Sequence, residues 1–258
     1  MGALPDLFRP LISDPGRSAL FLDFDGTLSP IVADPVGARP LPVVPALLTR
    51  LADHFALVAV ISGRPVDFLR QALGSPVGVG LYGLYGLGQV GPDARAWEAV
   101  VAEAAAEARA QAPTGVYVEP KGLTVTLHWR NAPDSGEWAT SFAQRQEAER
   151  GLRVHPGRMS VELRPPLDVD KGTVVRALAN DLRAVAVFGD DLGDLPAFEA
   201  VTELAAAGVA VVRVAVIDAE SDPLVAAHAD WVVEGPFGSV ALLEAMAQAV
   251  VGGVVGGD

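Results

Sequence analysis

Ala19-Leu20-Phe21-Leu22 runs directly into Asp23-Phe24-Asp25-Gly26-Thr27, and this passage from apolar to acidic decides the fold. A short apolar run that ends in carboxylates and a glycine reads as a buried parallel strand whose C-terminal end opens into a loop. Two aspartates one residue apart at such an exit can face the same pocket, one to attack and one to deliver a proton, while Gly26 permits the tight turn. The competing reading is an Asx turn with two solvated carboxylates. The strand before the pair and the glycine and threonine after it favour the pocket.

Working outward, Pro42 to His54 carries apolar residues at helical spacing (Val43, Leu47, Leu48, Leu51) and precedes a second apolar run, Leu57 to Ile61. Together with the first strand this forms a β-α-β unit. Ser62-Gly63-Arg64-Pro65 closes that strand and starts another helix, because proline is tolerated at the first helical position. Trp97 to Ala110 is an alanine-rich helix. The pattern then changes to β-rich stretches at Val116 to Glu119 and Leu123 to Trp129, the latter alternating Leu123, Val125 and Leu127 against Thr124, Thr126 and His128. A polar amphipathic helix over Gly136 to Arg150 and a strand over Met159 to Leu163 complete a small α+β insert. From Lys171 the βα alternation returns, with a helix to Leu182 and a strand over Ala184 to Phe188, so the segments flanking the insert belong to one sheet. Gly252 to Asp258, rich in glycine, is expected to be a mobile tail.

Composition narrows the function. Half of the 258 residues are hydrophobic and 20% are charged, which is the make-up of a packed globular protein. A net charge of −13, from 32 acidic against 19 basic residues, argues against nucleic acid and against an anionic membrane surface as partner. A small molecule is the expected ligand, and a phosphate site in this repulsive field needs a local cation, a lysine or helix N-termini. The absence of cysteine excludes disulfides, thiolate nucleophiles and cysteine metal sites, and fits a reducing cytoplasm. Met1 to Arg17 shows no signal peptide, and the most apolar run, Leu204 to Val212, contains Gly208 and stops at Arg213, too short to span a membrane. A cytoplasmic monomer is expected.

A second acidic cluster, Gly189-Asp190-Asp191-Leu192-Gly193-Asp194, follows another apolar strand. By itself it reads equally as a helix cap with acids near the helix dipole. Beside Asp23 and Asp25 at the same sheet edge it acquires a shared purpose. Two carboxylates ~4 Å apart repel by about 4 kcal/mol at an effective dielectric of ~20, so several in one cleft require protonation or a cation. With oxygen donors and no cysteine, Mg²⁺ is preferred to zinc. Ser62 can donate to a phosphoryl oxygen, although a lone serine there is more often a helix cap. Lys171 can act as a point charge on a phosphoryl group, although such a lysine is commonly solvated.

These four segments resemble the four motifs of the haloacid dehalogenase superfamily of phosphatases. More narrowly, the chain resembles the trehalose-6-phosphate phosphatases through Leu22 to Val32, Ser62-Gly63-Arg64, Glu119-x-Lys121 to His128-x-Arg130, Gly157 to Pro165 and Gly189-Asp190-Asp191. The resemblance implies an α/β fold: a Rossmann-like parallel-sheet core, here residues 1–110 and 168–258, with an inserted α/β cap domain at residues 111–167. It further implies that Asp23 attacks phosphorus, that Asp25 serves as general acid and base, and that Ser62 and Lys171 hold the phosphoryl oxygens. Mg²⁺ would be held by Asp23, the Asp25 main-chain carbonyl and Asp190, with Asp191 and Asp194 in support. Substrate would be contacted by Gly63, Arg64, Glu119, Lys121, His128, Arg130 and Glu162, although polar residues on an exposed strand face are ordinary. The chain departs from the family's Gly-x-His-Gly-x-Glu: Gly83-Leu84-Tyr85-Gly86-Leu87-Gly88 has tyrosine for histidine and lacks the acid. The expected reaction is hydrolysis of trehalose-6-phosphate to trehalose and phosphate. The rivals are a phosphatase for sucrose phosphate or for a glucosyl or mannosyl glycerate phosphate, and a phosphosugar mutase.

Overall fold

The computed structural model describes residues 4–32, 35–89 and 92–254. Ten strands among these residues form two sheets. The first joins β1 (Ser18–Leu22), β2 (Leu57–Ile61), β3 (Val79–Tyr82), β8 (Ala184–Gly189), β9 (Ala210–Ile217) and β10 (Trp231–Glu234) in the order β10-β9-β8-β1-β2-β3. All its neighbours are parallel. The chain builds outward from β1 through β2 to β3 and returns on the other side of β1 as β8. Strand order therefore reverses at β1, and the carboxyl ends of β1 and β8 flank the crevice where open α/β sheets bind ligands.

Alternation along the strands sorts side chains onto two buried faces. Leu20 and Leu22, with Val58, Val60, Ala186 and Phe188, meet Leu47, Leu48 and Leu51 of helix Val44–Ala52 and Leu243 and Met246 of helix Gly235–Val254. Ala19 and Phe21, with Ala59, Ile61, Val185 and Val187, meet Val174 and Val175 of helix Lys171–Leu178 and Phe198 and Val201 of helix Leu195–Ala206. Burial on both faces is why these strands read as continuous apolar runs. Helix Lys171–Leu178 stops short of the expected Leu182 because the chain turns at Asp181, which is left-handed at φ 61°.

The second sheet is antiparallel and takes the order β4-β5-β7-β6 from β4 (Tyr117–Pro120), β5 (Val125–His128), β6 (Arg153–Gly157) and β7 (Ser160–Arg164). Its apolar face, with Val118, Val125, Leu127, Val161 and Leu163, is covered by Val101, Ala104 and Ala108 of helix Glu98–Gln111 and by Phe142 and Ala143 of helix Gly136–Arg150. The chain thus divides into two compact units, Met1–Tyr85 with Asp170–Asp258, and Gly86–Val169. The boundary lies before the alanine-rich helix, where 110/111 was expected, because a helix's periodicity shows that it buries a face and not which sheet receives it. Of the expected glycine tail, Gly252 to Val254 continue the last helix and residues 255–258 lie outside the described residues. No described helix is long and apolar enough to cross a membrane.

Leu20 is fully buried on the central strand. Leu20→Ala should cost about 2–5 kcal/mol of unfolding free energy, the range for a buried leucine that leaves a cavity. Urea denaturation measures it, and a loss below about 1 kcal/mol would contradict a close-packed face here.

Candidate active site

Asp23 extends β1 by one residue, its N–H donating to the Phe188 carbonyl of β8 at 3.0 Å, and its side chain is 6% exposed. Lys171 is the first residue of its helix, whose start is fixed by Asp170: that carboxylate accepts from the Thr173 N–H at 2.8 Å. The Lys171 ammonium donates to Asp23 Oδ1 at 2.5 Å and to Asp194 Oδ1 at 2.6 Å. Asp194 Oδ2 in turn accepts from the main-chain N–H groups of Asp190 and Asp191, at 3.0 and 3.2 Å, which ties the loop after β8 to the cluster.

Two glycines make room for these carboxylates. A Cβ on Gly26, at φ +82°, would stand 2.1 Å from Asp190 Oδ2, and one on Gly189 would stand 2.3 Å from Asp194 Cβ. Asp25 points elsewhere. Its two oxygens accept from Arg64 Nε and Nη2 at 2.7 and 2.8 Å, a bidentate pair, and the guanidinium lies over the Phe68 ring. Ser62, at the end of β2, is buried, and its Oγ accepts from the Arg64 N–H at 3.1 Å.

The electrostatics are those of a site short of positive charge. Burial pushes Asp23 up to about 8; Lys171 opposes the rise, and Asp194 and Asp191 add to it. Burial also works against the Lys171 ammonium, but Asp194 and Asp23 outweigh it and hold the group well above the usual lysine range. Lys171 is therefore a fixed cation already shared between two acids. Oxygens of Asp23, Asp190 and Asp194 lie within 4.8 Å of one another, a hard-oxygen donor set that fits a divalent ion such as Mg²⁺ and would restore charge balance. The cluster gathers three of the five expected metal residues. Asp25, expected to contribute its main-chain carbonyl, has its carboxylate turned to Arg64, and Asp191 Oδ1 accepts from the Gly193 N–H at 2.8 Å.

The second unit carries a separate polar cluster on the face of its sheet opposite the helices. Register sets Glu119 opposite Thr126, Thr126 opposite Glu162 and Glu162 opposite His155. Glu162 accepts from Thr124 Oγ1 at 2.8 Å, Thr126 Oγ1 at 3.2 Å, Lys121 Nζ at 3.2 Å and Arg164 Nε at 2.8 Å. Glu119 lies 3.7 Å from the Lys121 ammonium and 2.8 Å from His128 Nε2. Arg130 stands just past β5, half-buried. Burial disfavours the Glu162 charge, but Lys121, Arg164 and the threonine bond outweigh it and hold the group far below the usual carboxylate range. His155 is pushed down to about 4 by burial and by Arg164, so it is neutral at pH 7. Thr124 and Thr126 belong to this site although only their alternation with Val125 marked them, and Tyr85, marked only as a departure, stands in the first unit with its ring 5.9 Å from the Lys171 ammonium.

Comparison with known proteins places this arrangement. A family model described as trehalose-phosphatase matches residues 21–226. The chain belongs to the trehalose-phosphatase family. Curated relatives include a trehalose-phosphate phosphatase of Mycobacterium leprae, 34% identical over 82% of this chain, and one of Mycobacterium avium, 39% identical over 78%. The chain spans about half the length of these relatives, 55% and 57% respectively. Among solved structures, the C-terminal domain of a Candida albicans trehalose-6-phosphate phosphatase superposes with a TM-score of 0.77 at 24% identity, covering 96% of this chain and 98% of that one. A haloacid dehalogenase-like hydrolase from Bacteroides thetaiotaomicron superposes at 0.58 with 15% identity, covering 88% of this chain and 98% of that one. These likenesses establish the haloacid dehalogenase-like fold. The region matched to the trehalose-phosphatase family includes every residue of both polar clusters.

Because the folded Glu162 binds its proton far more weakly than the unfolded residue, its contribution to stability is complete above about pH 4.5, its ordinary value. That contribution is lost as pH falls from there toward the depressed folded value. Glu162→Gln should lower stability at pH 7 by about 3–5 kcal/mol, because it strands buried cations, and the gap to the unsubstituted protein should narrow at pH 3.5. Urea unfolding at the two pH values checks this, and a gap that widens on acidification would contradict it.

Proposed function

We propose that this chain is a phosphomonoester hydrolase that cleaves trehalose-6-phosphate to trehalose and inorganic phosphate through an aspartyl-phosphate on Asp23. The observation that carries the reading is the buried Asp23 carboxylate held by Lys171 within a cluster of acids, with a second, differently engaged carboxylate, Asp25, two residues along. Family membership and the mycobacterial relatives support the choice of substrate. A cytoplasmic monomer acting on a diffusible sugar phosphate suits the acidic, cysteine-free composition.

In the first half-reaction an Asp23 oxygen bonds to phosphorus, the phosphorus–sugar oxygen bond breaks, and Asp25 protonates the departing oxygen. In the second, water attacks phosphorus, gives its proton to Asp25, and the bond from Asp23 to phosphorus breaks. Lys171 and the Ser62 hydroxyl hold the phosphoryl oxygens as charge builds on them. Arg64 donates one hydrogen bond to each Asp25 oxygen, which orients the carboxyl group and leaves a second lone pair on each oxygen for the proton. Asp23, Asp190 and Asp194, with the Asp25 main-chain carbonyl and Asp191, would hold Mg²⁺, which supplies positive charge against the transferring phosphoryl group when bound. Glu119, Lys121, His128, Arg130 and Glu162 are the groups proposed to read sugar hydroxyls, and Gly63 and Arg64 to border the phosphate.

Steady-state kinetics with a panel of sugar phosphates tests the reading. Trehalose-6-phosphate should exceed glucose-6-phosphate and sucrose phosphate in kcat/KM by ~10² or more, because the wrong sugar leaves polar groups of the site unpaired. Glu119→Ala or Lys121→Ala should erase that preference. Asp23→Asn should abolish turnover, and Asp25→Asn should lower it by ~10² to 10⁴. Equal rates on every sugar would overturn the substrate, and a fully active Asp23→Asn would overturn the nucleophile.

Metal dependence is checked separately. Exhaustive chelation should remove activity and added Mg²⁺ restore it, with thermal stability rising as Mg²⁺ is titrated in. Undiminished turnover after chelation would contradict the role given to the acidic cluster.

A further inference from the structure

Tyr85 occupies a conformation that its sequence does not favour. Leu84 and Tyr85 are consecutive non-glycine residues in the left-handed region, at φ 51° and 58°. Such strain persists only where the surroundings over-determine it, and it concentrates at functional sites. The surroundings here are the turn after β2. The Leu84 N–H donates to the Arg64 carbonyl at 3.0 Å and the Tyr85 N–H to the Ser62 carbonyl at 2.9 Å. Gly83 lies so close to this turn that a Cβ would stand 2.5 Å from the Val66 nitrogen.

The stapled loop delivers the Tyr85 side chain to two places at once. The Lys171 ammonium stands over its ring, 5.9 Å from the centroid. Its hydroxyl end lies against Gly63, where a Cβ would be 2.4 Å from the phenolic oxygen and 2.6 Å from Cζ. One aromatic ring therefore lies under the cation that binds Asp23 and Asp194, within cation–π range, and packs against the turn that presents Ser62 and Arg64.

We propose that Tyr85 is a positioning residue of the phosphoryl-transfer site, fixing the Lys171 ammonium and the Ser62–Arg64 turn relative to each other, and not a reader of the sugar. The inference rests on the phosphatase reading above and deepens it. Lys171 and Ser62 face the phosphoryl group, which every phosphate monoester shares, so the influence of Tyr85 on turnover is independent of the leaving group.

The test uses Tyr85→Ala, Tyr85→Phe, Gly63→Ala and the Gly63→Ala/Tyr85→Ala double variant, each checked for native circular dichroism. Turnover is measured with Mg²⁺ on trehalose-6-phosphate and on p-nitrophenyl phosphate, and the Lys171 ε-methylene resonance is followed by NMR. Tyr85→Ala should lower kcat about tenfold on both esters with KM changed by less than about threefold, because a loosened clamp acts on the chemical step. Tyr85→Phe, which keeps the ring, should recover most of that loss. Gly63→Ala should be damaging alone and add little in the Tyr85→Ala background, because its clash is with the ring. The Lys171 resonance should move in Tyr85→Ala, where the ring current is lost, and stay near its place in Tyr85→Phe. A loss confined to trehalose-6-phosphate, or losses from Gly63→Ala and Tyr85→Ala that multiply independently, would overturn the role. An unmoved Lys171 resonance in Tyr85→Ala alongside normal turnover of the unsubstituted protein would overturn the Tyr85 role alone. No turnover of either ester by the unsubstituted protein would sink the phosphatase reading and this role with it.

Discussion

The buried ammonium of Lys171, shared between Asp23 and Asp194, is the constraint around which the first unit is arranged. A lysine 4% exposed is tolerable only if carboxylates surround it, and those carboxylates must arrive from segments far apart in the chain. β1 supplies Asp23, the loop after β8 supplies Asp194, and a capped helix start supplies the lysine. Gly172 allows that helix to approach its neighbour, since a Cβ there would meet the Pro196 carbonyl at 2.3 Å. Gly26 and Gly189 leave space for the acids. A buried ion pair of this kind is weak evidence of stabilisation, because apolar residues of similar volume often serve as well. Its retention at the crevice of the sheet suits the proposed chemistry, in which a fixed cation stands beside the carboxylate assigned to attack phosphorus.

Charge explains how the cluster stays poised. One ammonium cannot neutralise Asp23, Asp190, Asp191 and Asp194, and burial adds to the difficulty by raising the proton affinity of Asp23. An anionic Asp23 in this place calls for a further cation, which the hard-oxygen donor set is suited to hold. Asp25 has a different partner, Arg64, which donates to both its oxygens. Two aspartates separated by one residue thus receive different partners, the division of labour that a nucleophile and an acid–base group require.

Much of this was legible in the chain itself. The apolar run before Asp23 and the one before Gly189 showed two buried strands, and parallel pairing brings their carboxyl ends together without any further information. The face bearing Thr124, Thr126 and His128 followed from alternation in β5. Other features depend on long-range packing that local patterns do not encode. The alanine-rich helix Glu98–Gln111 could serve either sheet, and only its contacts with Val125 and Leu127 assign it to the second unit. Glu162 joins Thr124 and Thr126 through strand register across 36 to 38 residues of sequence. Tyr85 stands out in the chain as a departure from the Gly-x-His-Gly-x-Glu pattern, yet its contact with Gly63 arises from a left-handed backbone that nothing in Leu84-Tyr85 favours.

The central claim is that Asp23 carries the phosphoryl group. It is tested most directly by quenching the enzyme in acid during the first turnover of trehalose-6-phosphate, reducing with borohydride, which converts an aspartyl-phosphate to homoserine, and sequencing the peptides by mass spectrometry. The account predicts homoserine at position 23 alone, transient in the unsubstituted protein and accumulating in Asp25→Asn. Release of inorganic phosphate with no homoserine at any time point would mean that water attacks phosphorus directly, and would contradict it.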